Sequence, residues 1–395
     1  MNLTADMEKN VIYLDNSATT KPSEASLEKM REALSLIYGN AGSVHAMGNA
    51  AHKLLCDARS VVGLTLGMRR PADGQVIFTS SGTEANNLAI FGSIRAKDRS
   101  GGGKIFISEG EHPSVDECAA SLEREGFRVY RVPTAGGRLD LDYLRKNCDG
   151  TTVLASFMLV NNETGALYDV ASAAAIVREA SPKAFIHADC VQAYLKTRFT
   201  LKSLGVDALT VSAHKVNAPK GAAALAVTAE VIRAKRLVPV TLGGGQESGF
   251  RSGTENVPAI SAFGAAAKEG FAEMSERSAR VRALRELLES ELDGVVRINR
   301  PAKGLDCIVN LTLPDIKSET MLNFLSGEGI CISAGSACSA RGRGVSRALV
   351  AFGIPESEAD CSVRVSLSHL NCEEDILSLA SALKSGVSRL ARIGK

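Results

Sequence analysis

Several things are scarce in this sequence of 395 residues, and each scarcity removes a class of function. No apolar run approaches the roughly 20 residues that a helix needs to cross a bilayer. The first ten residues include Asp6 and Glu8 and hold no apolar stretch of the kind a secretory signal needs. Charge of one sign has almost no surplus: 46 Lys and Arg face 44 Asp and Glu, a net +2, which argues against a nucleic-acid or anionic-membrane partner. The nine cysteines are odd in number and contain no CxxC pair, which disfavours a disulfide framework and a zinc site. Reduced thiols in turn point to the cytosol. There is no internal repeat, and the only low-complexity patches are the glycine runs at 101–103 and 243–245, short enough to be turns.

What is present fits an ordinary globular protein, 45% hydrophobic and 23% charged, long enough for two domains. From residue 11 to about 226, β-rich runs alternate with helical patterns. Strands are expected at 76–79, 104–107, 129–132, 152–158, 184–188, 209–212 and 222–227, several of them apolar on both faces. Helical patterns at 84–95, 114–125 and 170–179 lie between them. Such alternation predicts an α/β domain with a mainly parallel sheet, whose ligands collect beyond the carboxyl ends of the strands. Residues 255–292 read as one long Ala-rich helical stretch. It leads to a smaller α+β unit with elements near 307–313, 318–326, 362–367 and 373–390. The expected division is a large domain at 13–256 and a small C-terminal domain at 257–395, joined by the N-terminal segment 1–12.

The chemistry-bearing residues gather at the ends of the expected strands. Ser80-Ser81-Gly82-Thr83-Glu84 opens a helix, where free N–H groups and the helix dipole suit a phosphate, although a plain N-cap reads the same way. Glu111-His112-Pro113 offers a histidine that could stack on a ring or move protons, or simply cap a helix. Asn161-Asn162-Glu163-Thr164-Gly165 could grip a carboxylate or be a turn. Asp189 and Lys215, 26 residues apart at the ends of successive strands, suit one cofactor: the lysine would form a Schiff base with pyridoxal phosphate and the aspartate would hold its pyridine nitrogen protonated. Opposite charges at about 4 Å attract by roughly 4 kcal/mol at an effective dielectric near 20. At about 1.4 kcal/mol per pKa unit, that keeps a pyridinium charged at neutral pH. A solvated surface lysine is the plain alternative for Lys215; the ordered set of strand-end motifs outweighs it.

Cys338 stands apart from the other cysteines. It lies in Ser333-Ala334-Gly335-Ser336-Ala337-Cys338-Ser339-Ala340, with Arg341 and Arg343 just downstream to favour a thiolate over a thiol of ordinary pKa about 8.5. The other eight sit in apparent helices or beside strands and read as packing residues.

These residues in this order resemble the cysteine desulfurases of the class V aminotransferase superfamily. The match runs from Tyr13-Leu14-Asp15-Asn16-Ser17-Ala18-Thr19-Thr20 through Gly39-Asn40, Ser43-Val44-His45, Gly243-Gly244-Gly245-Gln246-Glu247 and Arg251-Ser252-Gly253-Thr254-Glu255-Asn256 to Ser362-Val363-Arg364-Val365-Ser366-Leu367. The resemblance implies the pyridoxal-phosphate-dependent fold type I and a homodimer. It implies Lys215 as the Schiff-base lysine, Asp189 as the pyridinium partner, Gln192 at the cofactor's phenolic oxygen and His112 over its ring. Gly82, Thr83, Ser212 and His214 would hold the phosphate, with Thr254 reaching in from the second subunit. Asn162 and Arg364 would bind the substrate carboxylate, and Cys338 would take sulfur from L-cysteine as a persulfide, leaving alanine. The 26 residues from Cys338 to Arg364 resemble the branch with the longer, mobile catalytic loop.

The implied sulfur acceptor is a protein, either an iron–sulfur scaffold or a tRNA-thiolation enzyme. No metal-ligand set is expected beyond Cys338 as a passing iron–sulfur ligand. Two positions depart from the family pattern. Val216-Asn217-Ala218 stands where an aromatic or histidine and then glycine usually follow the lysine, and Ser368-His369 stands where a glycine-arginine pair is usual. The C-terminal extension common in members that feed iron–sulfur scaffolds does not follow the last helix, which leaves the acceptor open. Two alternatives share the fold: a selenocysteine lyase and a class V aminotransferase that ignores sulfur. A third is a non-catalytic sulfur-transfer scaffold, against which the intact Lys215, Asp189, His112 and Gln192 speak.

Overall fold

A computed structural model describes residues 11–96, 102–335 and 345–390. Cys338, Arg341 and Arg343 lie outside the described residues, as does the segment 1–10. A short strand β1 (Ile12–Tyr13) starts the chain. The large sheet then takes β2 (Gly74–Thr79), β3 (Lys104–Ser108), β4 (Arg128–Val132), β5 (Thr152–Met158), β6 (Phe185–Asp189), β7 (Ala208–Ser212) and β8 (Ala223–Thr228). Their order is β2-β8-β7-β6-β5-β3-β4. All neighbours pair in parallel except β8, which is antiparallel to both β2 and β7. Two reversals restore direction, so β2 ends on the same edge as β3, β5, β6 and β7.

The seven expected strands all occur, within a residue or two at their ends. The central ones are apolar on both faces because helices cover both: β6 and β7 are buried at every position. Helices Gly82–Arg95, Pro113–Arg124 and Val170–Ala180 follow β2, β3 and β5 in crossover positions. Ser81 caps the first, its side chain accepting from Glu84 N. The second starts with Pro113, which needs no hydrogen bond there, and is capped by His112.

The helical stretch expected at 255–292 is helical, as two helices, Val257–Ala272 and Met274–Glu291, separated at Glu273. The first buries Ile260, Phe263 and Ala267 against the helices Glu24–Ser35 and Ala46–Thr65 in the core of the large sheet. The second turns Val281, Leu284 and Leu288 into a separate hydrophobic cluster. One straight helix could not bury both faces, and the chain bends between them.

That separate cluster surrounds a three-stranded antiparallel sheet of β9 (Arg297–Ile298), β10 (Ile308–Thr312) and β12 (Ser362–Ser366), ordered β12-β10-β9. β11 (Ile330–Cys331) leaves it to pair in parallel with β1. The architecture is therefore α/β, with a mostly parallel central sheet and a smaller α+β layer beside its carboxyl edge. No helix among the described residues is long and apolar enough to cross a membrane.

Candidate functional site

The carboxyl ends of β2, β3, β5, β6 and β7 surround a cavity of about 240 Å³. Gly82 and Thr83 enter it from the start of the Gly82–Arg95 helix, His112 from the turn after β3, and Asn162 from the turn after β5. Asp189 and Gln192 come from the end of β6, and Ser212, His214 and Lys215 from the end of β7. Arg364, on β12, closes the far side. Ten of the residues expected to bind cofactor or substrate thus share one space. Thr254 does not line it; it stands exposed on the surface.

Local geometry sets each group. Asp189 is 4% exposed, and its two oxygens accept from Asn86 Nδ2 at 2.8 Å and from the Val191 N–H at 3.0 Å. Lys215 Nζ donates to the carbonyls of Ser17 and Ala18 at 2.5 and 2.8 Å, and Gln192 Nε2 donates to the same Ser17 carbonyl at 2.9 Å. The 17–18 segment is thus strapped over the mouth by the two side chains beneath it. At Gly82 a Cβ would stand 3.2 Å from Val191 Cγ2, a tight contact that the valine would have to ease. Ser212 Oγ is buried and has no hydrogen-bond partner among the described residues.

Around the site, the surroundings of three histidines disfavour their charged form. Burial lowers the His112 pKa, with Asp189 opposing and Lys215 adding to the fall. His214 is pushed down to about 3 by burial and by Lys215, Lys220 and Lys196. His187, enclosed in β6 between Ser156 Oγ at 2.9 Å and Thr210 Oγ1 at 3.0 Å, falls to about 4 through burial. Glu111 goes the other way. Burial lifts its carboxyl to about 8, while Oε1 accepts from Ser108 Oγ and from the Met158 N–H at 2.6 Å.

Arg364 is 1% exposed and held by Asp15, which had no assigned role, and by Asn162, which did. Nη2 donates to Asp15 Oδ1 at 2.7 Å and Nη1 to the Asn162 carbonyl at 2.9 Å, while Nε is buried without a partner among the described residues. Asp15 Oδ2 accepts from Ser333 Oγ at 3.0 Å, and Ser333 exchanges backbone hydrogen bonds with Arg364. On the other side of the undescribed stretch 336–344, Ser346 Oγ donates to Glu163 Oε2 at 2.6 Å. Both roots of the Cys338 segment are therefore tied to residues beside the cavity.

Asn86, Ser114, Asp15 and Glu111 had no assigned role from sequence. A signal existed for Asn86, a poor helix former one turn inside an apolar helix. The two departures from the family pattern meet in a second cavity of about 420 Å³, lined by Asn217, Ser368 and His369 together with Lys215 and Lys196. Asn217 takes φ +62°, a conformation asparagine tolerates, and ties down the start of the chain through Thr20 Oγ1 and the Lys21 carbonyl. Among the described residues there is no cluster fit to hold a metal ion.

The comparisons agree with this geometry. The model of the aminotransferase class-V family matches residues 12–379. A cysteine desulfurase of Gluconacetobacter diazotrophicus is 36% identical over 389 residues, 96% of this chain and 94% of that one. Among solved structures, a NifS-like protein superposes with a TM-score of 0.89 at 32% identity, covering 96% of this chain and 100% of its own. A chain described as SspA in complex with cysteine has a TM-score of 0.79 at 30% identity, covering 91% and 99%. Sequence, fold and site converge: the chain belongs to the class-V aminotransferase family, and within it to the cysteine desulfurases.

Proposed function

We propose that this enzyme takes sulfur from free L-cysteine onto Cys338 as a persulfide, releases L-alanine, and passes the sulfur to a protein acceptor. The carrying observation is the pairing of Lys215 and Asp189 with an orphaned Ser212 hydroxyl in one cavity closed by Arg364. Pyridoxal phosphate, on which the family depends, suits this donor set. Lys215 offers the amine and Asp189 a carboxylate already fixed at both oxygens. Ser212 Oγ lacks a partner that a phosphate oxygen would supply, and Gly82 leaves a cradle that a side chain would fill. In this proposal Gly82, Thr83, Ser212 and His214 hold the phosphate, Gln192 the phenolic oxygen and His112 the ring face. Bound there, the cofactor supplies a Schiff-base carbon for the substrate amine and a sink for electrons.

The chain's own residues do the rest. Arg364 and Asn162 orient the substrate carboxylate, the arginine with an Nε unpaired among the described residues. Lys215 Nζ removes and returns a proton at the substrate α-carbon. Cys338 Sγ forms a bond to the substrate sulfur as that sulfur's bond to Cβ breaks and its electron pair stays with the carbon. The sulfur is oxidised to the sulfane level, and Cβ, taking up a proton that offsets the one given up by the Cys338 thiol, is reduced to the methyl of alanine. The ties of Ser333 and Ser346 beside the cavity support a Cys338 segment that starts and ends at the substrate site.

A homodimer in which Thr254 serves the partner's cavity is part of the same proposal; its exposure and absence from its own cavity support that reading. So is a division into a large cofactor-binding unit and a smaller one carrying the Cys338 segment, supported by the separate cluster around β10 and β12. The acceptor would be an iron–sulfur scaffold or a tRNA-thiolation enzyme, met in the cytosol. The test is to incubate purified protein with L-cysteine and measure alanine, sulfide and protein-bound persulfide together. Alanine without persulfide on Cys338 would overturn the proposal.

A further inference from the structure

His112 occupies the N-cap of the Pro113–Arg124 helix, where its ring does the work that a serine or aspartate usually does. Nδ1 accepts the Ser114 backbone N–H at 3.1 Å. A backbone amide can only donate, so Nδ1 keeps its lone pair toward it, and the proton of the neutral ring falls to Nε2. Ser114 Oγ lies 2.8 Å from the same Nδ1. Asn86 Nδ2 donates to that hydroxyl at 2.8 Å and to Asp189 Oδ2 at 2.8 Å. Turning the Asn86 amide over would set its oxygen against the Asp189 carboxylate, acceptor against acceptor, so the carboxylate fixes which way the amide lies. With its oxygen accepting from Asn86, the Ser114 hydroxyl has its own hydrogen left for Nδ1. The Asn86 Oδ1 is buried with no partner among the described residues, which is the cost of this arrangement.

We propose that Asn86 and Ser114 are positioning residues that, anchored on Asp189, hold His112 as the Nε2–H tautomer, so that it meets the substrate as a neutral hydrogen-bond donor. This rests on the functional reading above and deepens it. The groups facing the ring are Asp189 from the end of β6 and Lys215 from beyond β7, while Glu111 in its own turn is directed at Ser108 and the Met158 N–H. Burial, the Lys215 ammonium and the helix N-terminus all disfavour an imidazolium here, and Asp189 alone favours it. The division of labour follows. Lys215 is left as the base at the α-carbon, and His112 meets the substrate with an Nε2 proton to donate.

The experiment is a nitrogen–proton NMR titration of the full chain labelled at histidine, with and without pyridoxal phosphate. His112→Gln identifies the signal among the six histidines. The expected result is a neutral Nε2–H ring at pH 7 in both forms. Ser114→Ala removes one donor to Nδ1 and should raise the His112 midpoint by about half to one pH unit. Asn86→Asp turns the Ser114 hydroxyl away and adds a charge, so its rise should be larger. Ser114→Thr keeps the hydroxyl and should restore the original titration. An Nδ1–H tautomer in the unaltered chain would overturn the proposal, and that reading needs no variant to fold. Midpoints unmoved in both Ser114→Ala and Asn86→Asp would overturn it as well. A chain that shows the Nε2–H tautomer yet makes no persulfide supports this inference and sinks the functional one. Persulfide formed by a chain with the Nδ1–H tautomer does the reverse.

Discussion

Arg364 owes its pose to Asp15, a residue more than three hundred positions earlier in the chain. A guanidinium that is 1% exposed needs a counter-charge, and Asp15 supplies it on the side away from the cavity's free space. Asp15→Asn should therefore leave the cofactor's visible absorbance intact and raise KM for L-cysteine about tenfold, roughly 1.4 kcal/mol of lost ground-state binding. A changed absorbance with unchanged KM would contradict it. Lys215→Ala should remove the covalent attachment altogether, and borohydride reduction with peptide mapping of the parent should label Lys215 and not the exposed Lys220. Glu111 carries a pH signature. Its folded-state pKa of about 8 lies above that of an unfolded glutamate, so the folded chain holds the extra proton between the two values. Its stabilisation is complete below about pH 4.3, declines as pH rises, and is gone above about 8. Urea midpoints of the parent should fall between pH 5.5 and 8, and Glu111→Gln should flatten that fall.

At the level of elements, the strands do the organising, since β2, β3, β5, β6 and β7 end around one cavity and the end of each, or the turn after it, supplies at least one functional group. The strap of residues 17–18 over Lys215 and the two roots of the Cys338 segment add what strands cannot. Ser346 both caps the helix Arg347–Phe352 and bonds Glu163. Ser346→Ala should cost about 1 kcal/mol of local stability. It should slow persulfide formation on Cys338 several-fold in rapid-quench measurements while cofactor binding stays unchanged. Equal rates would show that this root does not guide the thiol. A different tie holds the 243–256 segment: Glu247, itself buried, accepts from Arg59 at 2.6 and 2.9 Å and from the Phe78 N–H at 2.9 Å. The glycine run, which reads as a turn and is part of the family match, is thereby fastened to β2, next to the Gly82 turn.

For the molecule as a whole, the open question is the second copy. Tyr38, Val44 and Leu242 stand 72%, 94% and 80% exposed. A mixed dimer of a Thr254→Ala chain with a Lys215→Ala chain tests the arrangement. If Thr254 serves the partner, one complete site forms and about half the parental activity returns; if it serves its own chain, no site is complete and activity stays absent.

The sequence alone determined most of the elements and the residues that stand at their ends. Strand and helix periods survive any arrangement of the chain, and Lys215, Asp189, His112, Asn162 and Arg364 each sit at the end of, or within, an element legible from its own neighbours. It read the 255–292 stretch as helical but did not place its break at Glu273, which answers to two separate cores that no local period encodes. It could not find the supports either. Asp15 meets Arg364 across a separation of 349 residues, Asn86 meets Asp189 across 103, and Ser17 meets Lys215 across 198. Which polar group faces which is decided by strand order and by burial that penalises every unpaired donor. Those pairings, and with them the tautomer of His112, belong to the tertiary structure.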